Sequence, residues 1–169
     1  MRVVAVITVM LGVIASEGVA LAQTALEQAD HARVYSLGWT GDWSRDEGMR
    51  PGGATVGVEI TPIENWLSIE ASISAIYAAH HTEMPIEVAF RKPWQLTPQV
   101  ELMAGVAPEV VRRFGPGAET FGGVSFGAHV MVWPRRNVGW FAESAYELVF
   151  PRNGTERGVS FSAGLLIGR

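Results

Sequence analysis

The side chains in this sequence that could do chemistry are mostly glutamates placed at alternate positions within short segments. Eight charged residues share such positions: Glu59, Glu70, Glu87, Arg91, Glu101, His129, Glu143 and Glu147. Ionised carboxylates in a narrow interior are costly unless they are paired or hydrated, so we expect these to bond to Arg91, His129 or serine hydroxyls. We interpret the set as a polar network that fills an interior, in preference to an acid/base pair or an ion path.

A second candidate for chemistry is the run His80-His81-Thr82-Glu83. Adjacent residues on extended chain point to opposite sides, so only His81 and Glu83 would share a side, which is too few ligands for a metal site. The chain contains no cysteine, which excludes disulfides, thiolate metal sites and cysteine nucleophiles. We therefore predict no catalytic residue, no metal and no cofactor, and we leave the binding residues unassigned.

The elements that must position these residues are predicted to be β-strands, because apolar residues recur at every second position from residue 33 onward. In the clearest segment, Leu67, Ile69 and Ala71 alternate with Ser68 and Glu70. The apolar rows of the eight segments fall within residues 35–39, 56–60, 67–75, 86–90, 100–106, 124–132, 138–148 and 159–167. The sequence therefore predicts eight strands and an all-β fold.

The connections between these segments alternate between long and short. The predicted short connections are residues 62–65, 92–96 and 134–137, and the longer ones are residues 42–53, 78–84, 107–119 and 151–156. Short turns on one side and longer loops on the other are typical of an antiparallel up-and-down outer-membrane barrel. The order also places both chain ends on the short-turn side, which would be the periplasm.

The N-terminus has the pattern of an export signal. Arg2 precedes an apolar run over residues 3–14 that is too short to cross a bilayer as a helix, and Ala20-Leu21-Ala22 then offers small residues for signal peptidase. We expect cleavage before Gln23. The predicted organisation is a signal peptide at 1–22, a short periplasmic segment at 23–32 and a barrel at 33–169.

Alternation alone does not decide whether the apolar rows face lipid or an internal cavity, since soluble barrels have the same period with opposite polarity. Trp66, Trp94 and Trp133 each lie beside a predicted short turn, so we expect them to form an aromatic girdle at the lipid interface. The chain also has a single lysine, Lys92, which is unusual for a water-facing wall. Both features favour apolar rows that face lipid and polar rows that face the lumen.

Over its mature length this pattern resembles the small eight-stranded outer-membrane barrels of the outer-membrane protein A and X type. Locally, Lys92-Pro93-Trp94, residues 105–109, Gly139-Trp140-Phe141-Ala142-Glu143 and Ser162-Ala163-Gly164-Leu165-Leu166 resemble a group of uncharacterised exported bacterial barrels. The resemblance implies outer-membrane lipid as surroundings and the barrel-assembly machinery as a partner during insertion. The chain departs from the pattern at Ile167-Gly168-Arg169, where such barrels usually end in an aromatic residue.

We therefore predict a non-enzymatic, monomeric outer-membrane barrel with a poreless polar interior, whose outward loops, chiefly residues 42–53 and 107–119, serve structural or recognition roles. Nucleic-acid binding is not expected, because the net charge is −4 and no basic stripe is present. Two alternatives stay open. One is an outer-membrane enzyme acting on lipid, with His81, Glu83 or the Glu143–His129 pair as acid/base groups, and the other is a soluble periplasmic barrel that binds an apolar ligand.

Overall fold

The computed structural model describes residues 33–44, 48–49, 52–77 and 81–168. Every regular element in these ranges is a strand: β1 Val34–Ser44, β2 Gly48–Met49, β3 Gly53–Ile63, β4 Leu67–Tyr77, β5 Thr82–Thr97, β6 Val100–Phe114, β7 Glu119–Arg135, β8 Val138–Phe150 and β9 Glu156–Gly168. Within these ranges no helix is long and apolar enough to cross a membrane. The expected signal peptide and the segment 23–32 lie outside the described residues.

The strands form one closed antiparallel barrel. Each strand from β3 to β8 pairs with the next in sequence, and β1 pairs with β3 on one side and with β9 on the other. The closing β1–β9 pairing runs from Val34 opposite Gly168 to Ser44 opposite Gly158. The two-residue β2 pairs only with Trp43 and Ser44 at the end of β1, so eight strands make the wall and the predicted fold class is confirmed. Closure removes the two long unpaired edges that an open sheet of eight strands would have.

The wall separates side chains by type, as the alternating pattern predicts. Apolar residues face outward, and Leu37, Phe126 and Leu165 keep between 51% and 58% of their surface exposed. The alternate residues point inward, and His129 and Met103 are almost completely buried. The barrel thus has an apolar exterior and a largely polar interior, which is the reverse of a soluble barrel built to hold an apolar ligand.

The two ends of the barrel differ in their connections. We call the end that carries the tight turns at residues 64–66, 98–99 and 136–137 the turn end, and the opposite end the loop end. The prediction of a turn at residues 92–96 is wrong. Strand β5 continues through this segment to Thr97, and Pro93 lies opposite Met103 on β6. Beyond Arg91, β5 pairs only with β6, so Pro93 lies in an edge segment, where proline is tolerated.

The expected long loop at residues 107–119 is also largely strand. β6 continues to Phe114 and β7 begins at Glu119, which leaves residues 115–118 as the connection. The prediction failed because Pro108 and the neighbouring charged residues were taken as loop signals, whereas Glu109 and Arg113 point into the barrel and Pro108 points out of it. The alternating period therefore extends further toward the loop end than expected.

An apolar cluster closes the turn end from inside, and we call it the turn-end plug: Val34, Met103, Met131, Trp133, Phe141 and Leu166. Trp133 is 9% exposed, and its ring lies against Gly139, where an added Cβ would come within 2.9 Å of Trp133 Cε3. The prediction that Trp133 belongs to an outward girdle is therefore wrong. Val132 faces outward, and the alternation of a strand turns the next residue inward.

Candidate functional site

The centre of the lumen is organised around Arg91 on β5, which is 4% exposed. Its Nη1 donates to Oε2 of Glu70 on the neighbouring strand, and its Nη2 donates to Oε1 of Glu143 across the barrel at 2.7 Å. A third carboxylate, Glu87, lies 4.0 Å from the same Nη2. One guanidinium thus holds carboxylates from three strands, and we call this group the central cluster.

His129 extends the central cluster toward the turn-end plug. It is the cross-strand partner of Glu143, and its Nδ1 lies 3.1 Å from Glu143 Oε2. Its ring stacks on Phe141 with the two centroids 5.3 Å apart. On the other side, the Ser36 hydroxyl donates to Glu70 Oε1 at 3.0 Å. The central cluster is therefore a connected network of hydrogen bonds and ion pairs.

The central cluster has the residue types for metal binding or acid/base chemistry, but its contacts favour structure. Among the described residues, Glu70, His129 and Glu143 are a group whose side-chain atoms lie close enough together to hold a metal ion. Arg91 already supplies a cationic partner to both of these carboxylates. His129 is 1% exposed and covered by Phe141, so a substrate has no access to it.

A second ion cluster lies at the loop end, around Arg113 on β6. The Arg113 guanidinium lies 2.7 Å from Glu83, 3.2 Å from Glu119 and 3.6 Å from Glu156, and it packs over the ring of Phe121 at 5.0 Å. Sequence reasoning missed this cluster because residues 107–119 were taken as a loop. Continuing the alternation from Ala107 by twos would have placed Arg113 in the inward row.

His81 joins this loop-end cluster, and its Nε2 lies 3.3 Å from Glu83 Oε1. The two residues therefore share a side, as the extended chain predicts. Glu83 also binds Arg113, so the arrangement is an ion network. His80 lies outside the described residues.

A cavity of about 90 Å³ lies in the loop-end half of the lumen, above the central cluster. Its lining includes Arg91 and eight carboxylates: Asp42, Glu70, Glu83, Glu87, Glu109, Glu143, Glu147 and Glu156. Hydroxyl groups of serine and threonine residues fill most of the remaining polar lining. The cavity is therefore strongly acidic and has room for a few water molecules.

The remaining residues of the predicted network occupy different depths. Glu147 lines the acidic cavity, Glu59 is 5% exposed near the central cluster, and Glu101 lies on β6 toward the turn end. Glu109 was absent from the predicted network although it shares the inward row, again because its strand was taken as a loop. The structure thus divides the network into the central cluster, the acidic cavity and the region near the plug.

Aromatic residues flank the outward apolar surface at both ends. Trp66 and Trp94 lie at the turn end with 60% and 42% of their surfaces exposed, and the Lys92 ammonium lies 5.9 Å from the Trp94 ring. At the loop end the exposed aromatic residues are Trp43, Tyr77, Phe114 and Phe150. Two aromatic bands that border an apolar belt are the surface arrangement of membrane-spanning barrels.

Comparison with known proteins identifies the fold. No protein-family model and no curated protein matches this chain. Among solved structures it is similar to Neisserial surface protein A (NspA), with a TM-score of 0.62 and 14% sequence identity, over 81% of this chain and 96% of that one. That similarity shows the fold of a small eight-stranded outer-membrane barrel, so the resemblance found in the sequence is confirmed for the fold.

Two further solved structures match with lower scores. One is Ail, the attachment invasion locus protein of Yersinia pestis, with a TM-score of 0.46 and 11% identity over 80% of this chain and 96% of that one. The other is the N-terminal β-barrel domain of Pseudomonas aeruginosa OprF, with a TM-score of 0.48 and 12% identity over 81% of this chain and 98% of that one.

Proposed function

We propose that this protein is exported through a cleaved signal peptide and resides in the bacterial outer membrane as a monomeric, non-enzymatic barrel. The observation that carries the proposal is the continuous apolar outer face, which would be unstable in water. Isolated exposed apolar residues are normal in soluble proteins, but contiguous patches beyond a few hundred Å² mark a surface that something else covers. A bilayer covers such a surface on all sides of a barrel.

The interior supports a structural role for the barrel. The turn-end plug fills one end, and the central cluster cross-links strands β4, β5 and β8 through Arg91. Eight strands enclose an interior that side chains can fill, so an open pore is not expected. We assign the central cluster to stability, because Phe141 covers His129 and Arg91 pairs with Glu143.

Recognition, in this proposal, belongs to the loop end, which would face the cell exterior. The expected recognition segments 42–53 and 107–119 are shortened by the strands that enter them, and in the described part of the chain the connections at this end are residues 115–118 and 151–155. Short loops on a rigid barrel can present a fixed surface to a partner at low entropic cost. Lipid and the barrel-assembly machinery are the partners that membrane insertion itself requires.

The location is tested by expressing the full chain in a bacterium with two membranes and separating its inner and outer membranes on a density gradient. We expect the protein in the outer membrane, resistant to alkaline extraction, with faster gel migration before boiling than after. The control is a variant with Ala20 and Ala22 replaced by lysine, which should stay uncleaved, whereas the wild type should begin at Gln23. Release of the mature protein into detergent-free buffer would refute the membrane assignment.

The non-enzymatic role is tested separately, by comparing envelope lipids from cells that overproduce the wild type and His129→Gln. We expect the two lipid profiles to be identical to each other and to that of cells without the protein. A modified lipid that accumulates with the wild type and is lost with His129→Gln would instead establish the lipid-modifying alternative.

A further inference from the structure

The acidic cavity contains a carboxylate, that of Glu109, with an oxygen that no described residue pairs. Glu109 on β6 lines the cavity with 8% of its surface exposed, and its Oε1 has no hydrogen-bond partner among the described residues. Leaving a buried charged oxygen unpaired costs several kcal/mol in general. A group that supplies positive charge at this oxygen would remove that cost.

A second carboxylate faces Glu109 directly. Glu87 on β5 is its cross-strand partner, and both side chains line the same cavity. Like charges directly opposite each other in a sheet destabilise the pairing. Arg91 relieves Glu87 only in part, since the nearest atoms are 4.0 Å apart, and the other Glu87 oxygen accepts a hydrogen bond from Ser125 at 3.2 Å.

The absence of a side chain at Gly123 makes room for the Glu109 carboxylate. On the adjacent strand β7, a Cβ added to Gly123 would lie 2.5 Å from Glu109 Oε1 and 2.8 Å from Val149 Cγ1. The carboxylate therefore rests over the backbone of Gly123, with its unpaired oxygen held in place. A preorganised oxygen ligand of this kind loses little conformational entropy when it binds an ion.

We propose that the acidic cavity binds a hard divalent cation of the Ca²⁺ class between Glu109 and Glu87, with water molecules completing its coordination. The available ligands are carboxylate and hydroxyl oxygens, which hard cations prefer and soft metals do not. Ca²⁺ fits better than Mg²⁺ because it accepts irregular geometry and six to eight oxygens, whereas Mg²⁺ demands a near-ideal octahedron. The site adjoins the central cluster and shares Glu87 with it, whereas Glu70 and Glu143 are held by hydrogen bonds from Arg91.

The proposal is tested on the purified, folded chain in detergent micelles, so its outcome does not depend on where the protein resides in the cell. Titration calorimetry with CaCl₂, after removal of bound ions with EDTA, should show one site per chain for the wild type. Glu109→Gln should weaken the affinity at least tenfold, and Glu87→Gln should act in the same direction. Glu101→Gln is the matched control, since it makes the same change in the same strand outside the cavity, and it should bind within twofold of wild type.

Urea unfolding, measured in EDTA and in Ca²⁺, is a second test. A variant that simply folds poorly would be less stable than the wild type under both conditions. In EDTA, Glu109→Gln should unfold at a higher urea concentration than the wild type, because it removes the repulsion with Glu87. In millimolar Ca²⁺ the order should reverse, since only the wild type gains stability from the ion. Gly123→Ala, which keeps every carboxylate but displaces Glu109, should weaken Ca²⁺ binding as Glu109→Gln does.

Three results would overturn the proposal. The first is the absence of a titratable site in the wild type up to about 10 mM Ca²⁺, which is beyond the weak range of extracellular sites. The second is unchanged binding in Glu109→Gln and Gly123→Ala. The third is equal weakening by Glu101→Gln, which would indicate a general effect of net charge.

Discussion

Replacing the buried Arg91 with methionine should destabilise the barrel far more than the same change at an exposed arginine. The substitution keeps most of the side-chain length but removes the guanidinium that donates to Glu70 and Glu143. Each hydrogen bond to a charged group contributes about 1.5–3 kcal/mol. Breaking a buried ion pair by removing one partner costs about 3–5 kcal/mol. We expect a loss of about 3–5 kcal/mol, which lowers the folding equilibrium constant by a factor of roughly 150 to 5,000.

The assay is equilibrium unfolding in urea of the protein inserted in phospholipid vesicles, followed by tryptophan fluorescence in both directions to establish reversibility. Arg136→Met, in an exposed turn, is the matched control and should change stability by less than about 0.5 kcal/mol. Both variants lose one positive charge, so the comparison isolates burial and pairing.

The same reasoning predicts recovery when the carboxylates are neutralised together with Arg91. The triple variant Arg91→Met, Glu70→Gln, Glu143→Gln removes Arg91 together with both carboxylates that it hydrogen-bonds, and it leaves Glu87, which keeps its hydrogen bond from Ser125. We expect this variant to regain most of the lost stability, since replacing a whole buried ion pair with neutral groups is often nearly neutral. A loss below about 1 kcal/mol for Arg91→Met, or a triple variant as unstable as the single one, would refute this account of the lumen.

Three further substitutions probe the plug, the outer face and the glycine contacts. Trp133→Ala empties part of the turn-end plug and should cost about 3–5 kcal/mol of unfolding free energy, whereas Trp66→Ala, at an exposed position, should cost much less. In a separate measurement, lipids brominated on their acyl chains should quench the fluorescence of Trp66 more than that of Trp133. Ala128→Arg places a charge on the outward face and should destabilise the vesicle-inserted barrel by about 2–4 kcal/mol; no effect on folding into vesicles would contradict lipid contact there. Gly164→Ala, whose Cβ would lie 2.2 Å from the backbone oxygen of Leu37 and 2.5 Å from Gly38 Cα, should cost about 1–3 kcal/mol in the same urea assay, and wild-type stability would show that the neighbouring strand β1 can shift away.

The sequence predicts the fold because the alternating period is read directly from residue types. Val and Ile at every second position specify an outward face, and the strands in the structure follow those rows. When the alternation is continued to residue 133, it also predicts the inward orientation of the Trp133 side chain. The prediction failed there because proximity to a turn was weighed above parity with Val132, and a strand that continues to its last residue keeps its alternation up to the turn.

The candidate site was less accessible to prediction, because contacts across a barrel depend on register and on where strands end. The pairing of His129 with Glu143 follows from one tight turn and was within reach of the sequence. The contact of Arg91 with Glu143 joins β5 to β8 across the lumen, and adjacent-strand register does not determine it. Glu109 and Arg113 were missed for a different reason, since proline and charge are loop signals on average but not within a strand that extends past the apolar belt.

The turn-end plug has a consequence for exchange between the lumen and its surroundings. Because Met103, Met131 and Leu166 occupy that end with at most 2% of their surfaces exposed, a solute that reaches the carboxylates has to return by the route it took in. The ions and water molecules in the lumen then exchange only with the solution at the loop end. Such a barrel would exchange ions with the solution on its loop side without dissipating a concentration difference between two compartments.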